Sequence, residues 1–167
     1  HLMGISQDQI VRTLKEFKGV EHRLEHVRTI NEVEYINDSK ATNINSVIVA
    51  INTYDQPIVL ILGGFNKGAN FRLLLPHIKS SHVRDIVSYG DAGGQINTAL
   101  GDAVRSVQVT DLSSAVKKAQ LMAAPGDIVL LSPGCASYDE FSNFEERGNH
   151  FKSCLLYTSD AADDRSC

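Results

Sequence analysis

Apolar positions along this chain fall into two kinds of run, and the two kinds alternate. Residues 58–62 (Ile-Val-Leu-Ile-Leu) and 128–131 (Ile-Val-Leu-Leu) are uninterrupted and bounded by turn residues. Such runs predict strands buried on both faces, as in a parallel sheet. Elsewhere Ile44, Val47, Ile48 and Ile51 recur at helical spacing, and Leu112, Ala115, Val116, Ala119 and Met122 repeat the pattern. These predict amphipathic helices over 44–54 and 112–123. Further strands are expected at 83–89 and 104–109, and further helices at 73–78, 94–100 and 143–155. Pro76 limits where the first of those helices can start. Upstream, 24–30 and 33–37 predict a hairpin turning at Asn31-Glu32. Ser6 and Gln9 form a capping-box pattern ahead of Ile10, Val11, Leu14 and Phe17, and Gly19 ends that first helix. Strands alternating with helices imply an α/β fold with right-handed crossovers. The sheet is mainly parallel, with helices on both faces and an N-terminal antiparallel hairpin.

Composition narrows the class. At 167 residues the chain holds one domain, on a prior of ~150 residues per domain. Residues 1–19 read as a remnant of an upstream region or a linker helix, 20–155 as the domain, and 156–167 as a tail outside it. That tail lacks periodicity and an apolar face, and reads as a read-through artefact. Net charge is −4 and no basic run exceeds two residues, which argues against a nucleic-acid or anionic-membrane surface. No apolar stretch approaches the ~18 residues of a membrane span. Cys135, Cys154 and Cys167 are scattered, without CxxC spacing, so neither structural zinc nor a disulfide framework is expected.

The chemistry concentrates in three loops after predicted strands, where ligands bind in open α/β sheets. The first is Asn37-Asp38-Ser39-Lys40-Ala41-Thr42-Asn43. A helix N-terminus beside a lysine suits an anion; an ordinary capped turn with a surface lysine fits the heptad equally well. The second loop, 63–68, is rich in glycine and carries Lys67, but no Walker A spacing occurs in this sequence. The third, 132–139, is made of small residues and carries Ser132, Ser137 and Tyr138. Together the loops offer two ammonium groups and several hydroxyls, a set suited to a carboxylate or a phosphate. Cys135 reads as a packed thiol, and His22, taken alone, as a surface loop histidine.

Four motifs in order carry a resemblance: His22-Arg23-Leu24-Glu25; Asp38-Ser39-Lys40-Ala41-Thr42-Asn43; Leu62-Gly63-Gly64 with Lys67-Gly68; and 131–139 followed by Phe144 and Glu146-Arg147-Gly148. The set resembles the C-terminal domain of the Mur ligases, most closely the members that add D-glutamate to UDP-N-acetylmuramoyl-L-alanine. The resemblance implies a Rossmann-like domain of a three-domain, ADP-forming amide ligase of peptidoglycan synthesis. In that family a central domain carries the P-loop, the magnesium ligands and a carbamylated lysine, and the C-terminal domain binds D-glutamate and closes over ATP. Carried over by position, Arg23 and Asp38 contact ATP, and His22 lies near the reaction centre, with His22 and Lys40 as catalytic candidates. Lys40, Thr42, Lys67, Ser137, Tyr138 and Phe144 surround D-glutamate. Mg2+ is expected mainly on the central domain and no metal ligand is assigned here. The expected partners are D-glutamate, UDP-N-acetylmuramoyl-L-alanine and ATP, with no nucleic acid and no membrane. The expected form is a cytoplasmic monomer, inactive as a fragment. Phe65, Asn66 and Asn70 are uncharged where many members carry aspartate. Two other readings share the loops: a non-catalytic α/β module binding an anion or a partner, and the equivalent domain of another Mur ligase or a folylpolyglutamate synthetase.

Overall fold

The computed structural model describes residues 6–16 and 19–156. Phe17, Lys18, the first five residues and 157–167 lie outside the described residues, and so does most of the expected tail. Helix α1 (Gln7–Glu16) starts on the expected reciprocal cap: Gln9 N–H donates to Ser6 Oγ (3.2 Å) and Ser6 N–H to Gln9 Oε1 (2.8 Å). Strands β1 (Glu25–Ile30) and β2 (Val33–Asn37) pair antiparallel. Their two-residue turn puts both Asn31 (φ 50°) and Glu32 (φ 61°) in the left-handed region, the geometry whose twist suits a tight hairpin.

Beyond the hairpin follow α2 (Ile44–Ile51), β3 (Ile58–Gly63), a 3-10 turn (Phe71–Leu74), α3 (Leu75–Ser80) and β4 (Val83–Tyr89). Then come α4 (Gly93–Leu100), β5 (Arg105–Gln108), α5 (Leu112–Met122), β6 (Ile128–Gly134) and α6 (Phe144–Leu156). The six strands form one sheet in the order β1-β2-β6-β3-β4-β5, parallel except for β1. The pleat divides the two continuous apolar runs between two cores. Ile58, Leu60, Leu62, Ile128 and Leu130 pack with Val47 and Ile51 of α2, Ile78 of α3 and Ile96 of α4. Val59, Ile61, Val129 and Leu131 pack on the other face with Val116 and Ala119 of α5 and Phe151 and Leu155 of α6. Every residue of β3 and β6 is buried. Burying one such Ile or Leu contributes ~1.5–3 kcal/mol, so these two strands are the centre of stability. Among the described residues, no helix is long and apolar enough to cross a membrane.

Besides one-residue shifts at several ends, the structure departs from the expected elements in three places. Helix α2 stops at Ile51 rather than at 54. There Asn52 caps it, and Thr53 turns its hydroxyl back onto Val49 O (2.9 Å). The helix expected over 73–78 is a 3-10 turn followed by α3, because Pro76 sits in the first turn of α3 and cannot lie further inside a helix. Strand β6 continues through Ser132 and Pro133 to Gly134, where the sequence predicts a loop. The ladder with β3 slips in register opposite Pro133, between Ile61 and Gly63, and resumes at Gly63–Gly134. A register shift is how a strand accommodates a residue with no N–H.

Candidate functional site

Three chain segments meet beyond the C-terminal ends of β2, β3 and β6, which are neighbours in the sheet. Backbone hydrogen bonds lace them together. Asp38 N–H donates to Leu131 O (2.8 Å) and Gly134 N–H to Ala41 O (2.8 Å). Phe65 and Ala136 exchange two bonds of 2.9 and 3.1 Å, which fixes the glycine loop against the third loop. This approach requires glycine at 64: its φ is 118°, and a side chain would run into the Ala136 carbonyl.

Arg147 fastens the assembly from beneath. It lies on α6 and is fully buried. Its Nε donates to Ser39 Oγ (2.9 Å), Nη2 to Ser39 O (2.8 Å) and Nη1 to Cys135 O (3.0 Å). Ser39 Oγ in turn donates to Phe144 O (2.7 Å). Among the described residues, no carboxylate is within ion-pair distance of Arg147. A buried cation held only by hydroxyl and carbonyl dipoles is costly, and it biases its surroundings toward negative charge. The sequence places Arg147 in the fourth motif without a role, because its burial is decided by packing against loops distant in the chain.

A cavity of about 340 Å³ opens between the first loop and α2, lined by Arg23, Leu24, Asp38, Lys40, Ser46 and Val49 among others. The structure thus brings together Arg23, Asp38 and Lys40, which the motifs had placed at a nucleotide and at a substrate. Asp38 is only 5% exposed. Its Oδ1 accepts from Leu24 N–H (3.2 Å) and Oδ2 from Ser132 Oγ (2.9 Å). Burial pushes its carboxyl up to about 6, although those two bonds and nearby Arg23 oppose the shift. Each oxygen keeps a lone pair for a further donor. Asn43 caps α2, its Oδ1 accepting from Ser46 N–H (3.0 Å).

The two candidate lysines each lie over a ring. Lys40 Nζ is 5.4 Å from the centre of Phe144, and Lys67 Nζ is 4.7 Å from that of Tyr138. Both lysines, Thr42 and Tyr138 are exposed, whereas Ser137 is buried. His22 is neither a surface loop histidine nor part of the cavity wall. It is 4% exposed and touches Phe144 edge-on with ring centres 6.1 Å apart. Its Nδ1 meets Asn37 Nδ2 at 3.0 Å.

Residues 22–135 match the Mur ligase, glutamate ligase domain. The chain belongs to that family. This Mur ligase domain is 47% identical to the UDP-N-acetylmuramoylalanine--D-glutamate ligase of Natranaerobius thermophilus over 155 residues, covering 91% of this chain and 33% of that protein. The Salinibacter ruber enzyme of the same name is 43% identical over 152 residues, covering 90% and 33%. The chain therefore spans about a third of the relatives it matches. A crystal structure of the bifunctional folylpolyglutamate synthase/dihydrofolate synthase of Yersinia pestis, complexed with AMPPNP and Mn ion, superposes with a TM-score of 0.67 at 17% identity. It covers 92% of this chain and 35% of that one, a likeness of fold.

Asn66 and Asn70 keep the glycine loop of this Mur ligase domain in shape. Asn66 Oδ1 accepts from Gly68 N–H (2.9 Å) and Ala69 N–H (2.6 Å), and Asn70 Oδ1 accepts from Arg72 N–H (3.1 Å). An aspartate oxygen could accept the same bonds, but the Asn66 amide also donates from Nδ2 to Gln95 Oε1 (2.6 Å), which a carboxylate cannot do. Burial pushes the Cys135 thiol up to about 12, which makes it an inert packed group. Among the described residues, one group of three potential metal ligands occurs, Glu21, His22 and Glu25. Lys152 Nζ already sits on both of its carboxylates.

Proposed function

We propose that this chain is the D-glutamate-binding domain of an ATP-dependent, ADP-forming amide ligase that adds D-glutamate to UDP-N-acetylmuramoyl-L-alanine in peptidoglycan synthesis. One observation supports the reading: the loops that carry Lys40 and Thr42, Lys67, and Ser137 and Tyr138 are hydrogen-bonded side by side beyond the ends of β2, β3 and β6, with buried Arg147 tying the first to the third. D-glutamate brings two carboxylates, and Lys40 and Lys67 can oppose one each. Phe144 and Tyr138 supply apolar walls. Charge-assisted bonds of this kind contribute ~1.5–3 kcal/mol each in a closed site.

Arg23 and Asp38 suit the nucleotide. Arg23 offers a fork for phosphate oxygens, and Asp38 has lone pairs free for ribose hydroxyls. Mg2+ and the phosphate cradle belong in this reading to the central domain. The residues here orient the amine of D-glutamate toward an acyl phosphate formed on the L-alanine carboxylate, a contribution of positioning and charge neutralisation. The domain is taken as 20–155, with α1 as a linker helix and 156–167 as a tail outside it, in a cytoplasmic, monomeric enzyme.

Titrating D-glutamate into the chain by calorimetry tests the site. Lys40→Ala and Lys67→Ala are each expected to weaken binding about tenfold or more; binding indifferent to both sinks the assignment. The folylpolyglutamate synthase likeness in fold keeps a second reading in view, the equivalent domain of a related amide ligase. Competition among D-glutamate, L-glutamate and L-alanine separates the two.

A further inference from the structure

We propose that Asn37 is a positioning residue that holds His22 with its proton on Nε2 and its lone pair on Nδ1, and so sets the backbone that carries Lys40. The orientation of the Asn37 amide is fixed from its oxygen side, because Ser39 N–H donates to Oδ1 (3.1 Å). The two hydrogens of Nδ2 then face Glu25 Oε2 (3.0 Å) and His22 Nδ1 (3.0 Å), the two shortest of three contacts, the third being Gly148 O at 3.5 Å. A ring nitrogen that meets an amide N–H at this distance has to accept. The singly protonated ring is therefore the Nε2–H form.

Packing holds the pair in place. Asn37 is fully buried. Gly148 of α6 leaves room for the imidazole, since a side chain there would collide with His22 Nδ1. Phe144 closes the ring edge-on. The charged groups around the ring are Glu21, 3.8 Å from Nε2, and Glu25, 3.9 Å from Nδ1. Both are engaged by Lys152. The main chain of His22 is in the left-handed region, with φ 62°. Its N–H donates to Glu25 Oε2 (2.9 Å), and its carbonyl accepts from Lys40 N–H (3.0 Å). The imidazole is thus a peg that keeps a strained peptide in place, and the peptide holds the lysine. This moves His22 from catalytic candidate to support for the site. The consequence for ligand binding rests on the acceptor-site reading above; the tautomer does not.

Long-range 1H–15N correlation spectra of the 15N-labelled chain read the tautomer directly, with His22→Gln used to assign the signal. The expected result is a pyridine-type Nδ1 and a pyrrole-type Nε2. In Asn37→Ala the preference collapses to a mixture, amide exchange at Lys40 quickens, and D-glutamate binding weakens several-fold. Glu25→Gln keeps the tautomer, because the Asn37–His22 pair survives it. An Nδ1–H signal in the unmodified chain, or a tautomer unmoved in a folded Asn37→Ala, overturns the proposal. If Asn37→Ala does not fold, the spectrum of the unmodified chain still decides. A correct tautomer without D-glutamate binding removes the function and leaves this inference standing; the converse removes only this inference.

Discussion

Burial holds the Asp38 carboxyl at about 6 against an ordinary 3.8. Between those values the folded chain keeps a proton there that the unfolded chain has released. Stability therefore falls as pH rises through that window, and the full cost is present above it. A shift of this size corresponds to roughly 3 kcal/mol at most. Asp38→Asn removes the cost while its amide can still pair with Leu24 N–H and Ser132 Oγ. Its Tm is expected to exceed that of the unmodified chain more at pH 7.5 than at pH 4.5, in thermal melts at both values. A gap independent of pH contradicts the assignment. For function, an ionised Asp38 retains unspent acceptor capacity, which a ribose hydroxyl would use. The residues that carry the site's geometry were the least visible in the sequence. Lys40 and Lys67 stand out only when the three loops after strands are read together, since either loop alone fits an ordinary turn with a surface lysine. Arg147 and Asn37 act from inside, and nothing in one residue type announces that it is buried.

Loop geometry, at the scale of the element, is set by backbone conformations a sequence pattern only hints at. Gly64→Ala and Gly68→Ala make a paired test. Both residues have positive φ, 118° and 94°, so alanine strains each. Only at 64 does the new side chain also meet backbone, at Ala136; around 68 there is nothing within 4 Å. Gly68→Ala is expected to cost about 1–3 kcal/mol and Gly64→Ala clearly more, as read by urea denaturation. Equal losses would mean that the glycine and small-residue loops are not fastened to each other. The strands and helices themselves were readable because burial on two faces or on one leaves a periodic trace. Their ends were not. The stop of α2 depends on a cap at Asn52, and the extension of β6 depends on a partner strand that tolerates Pro133. Both are decided by neighbours distant in sequence.

For the whole molecule, the sheet order places β2, β6 and β3 side by side, so that three loops far apart in the chain lie next to one another. That order could not be read from periodicity, which is indifferent to which strands pair; the family resemblance put residues of all three loops around one ligand but gave no strand order. The chain covers about a third of its relatives, and the proposed division of labour puts phosphate chemistry outside it. Supplied with ATP, UDP-N-acetylmuramoyl-L-alanine and D-glutamate together, the chain is expected to bind the amino acid and release no ADP above background in a coupled assay. Turnover by this chain would relocate the phosphate cradle into the present fold.

Arg147 has one more consequence, for ionic strength. Mobile ions gather around exposed ammonium groups and weaken them over a Debye length of ~8 Å at physiological salt. No ion can gather around a guanidinium enclosed by Ser39, Cys135 and α6. In the proposed acceptor site, the pull on a dicarboxylate would have two components: one from Lys40 and Lys67 that fades as salt rises, and one from Arg147 that persists. The proposed acceptor site would then keep its polarity at high ionic strength while the lysines at its rim set how fast the ligand arrives.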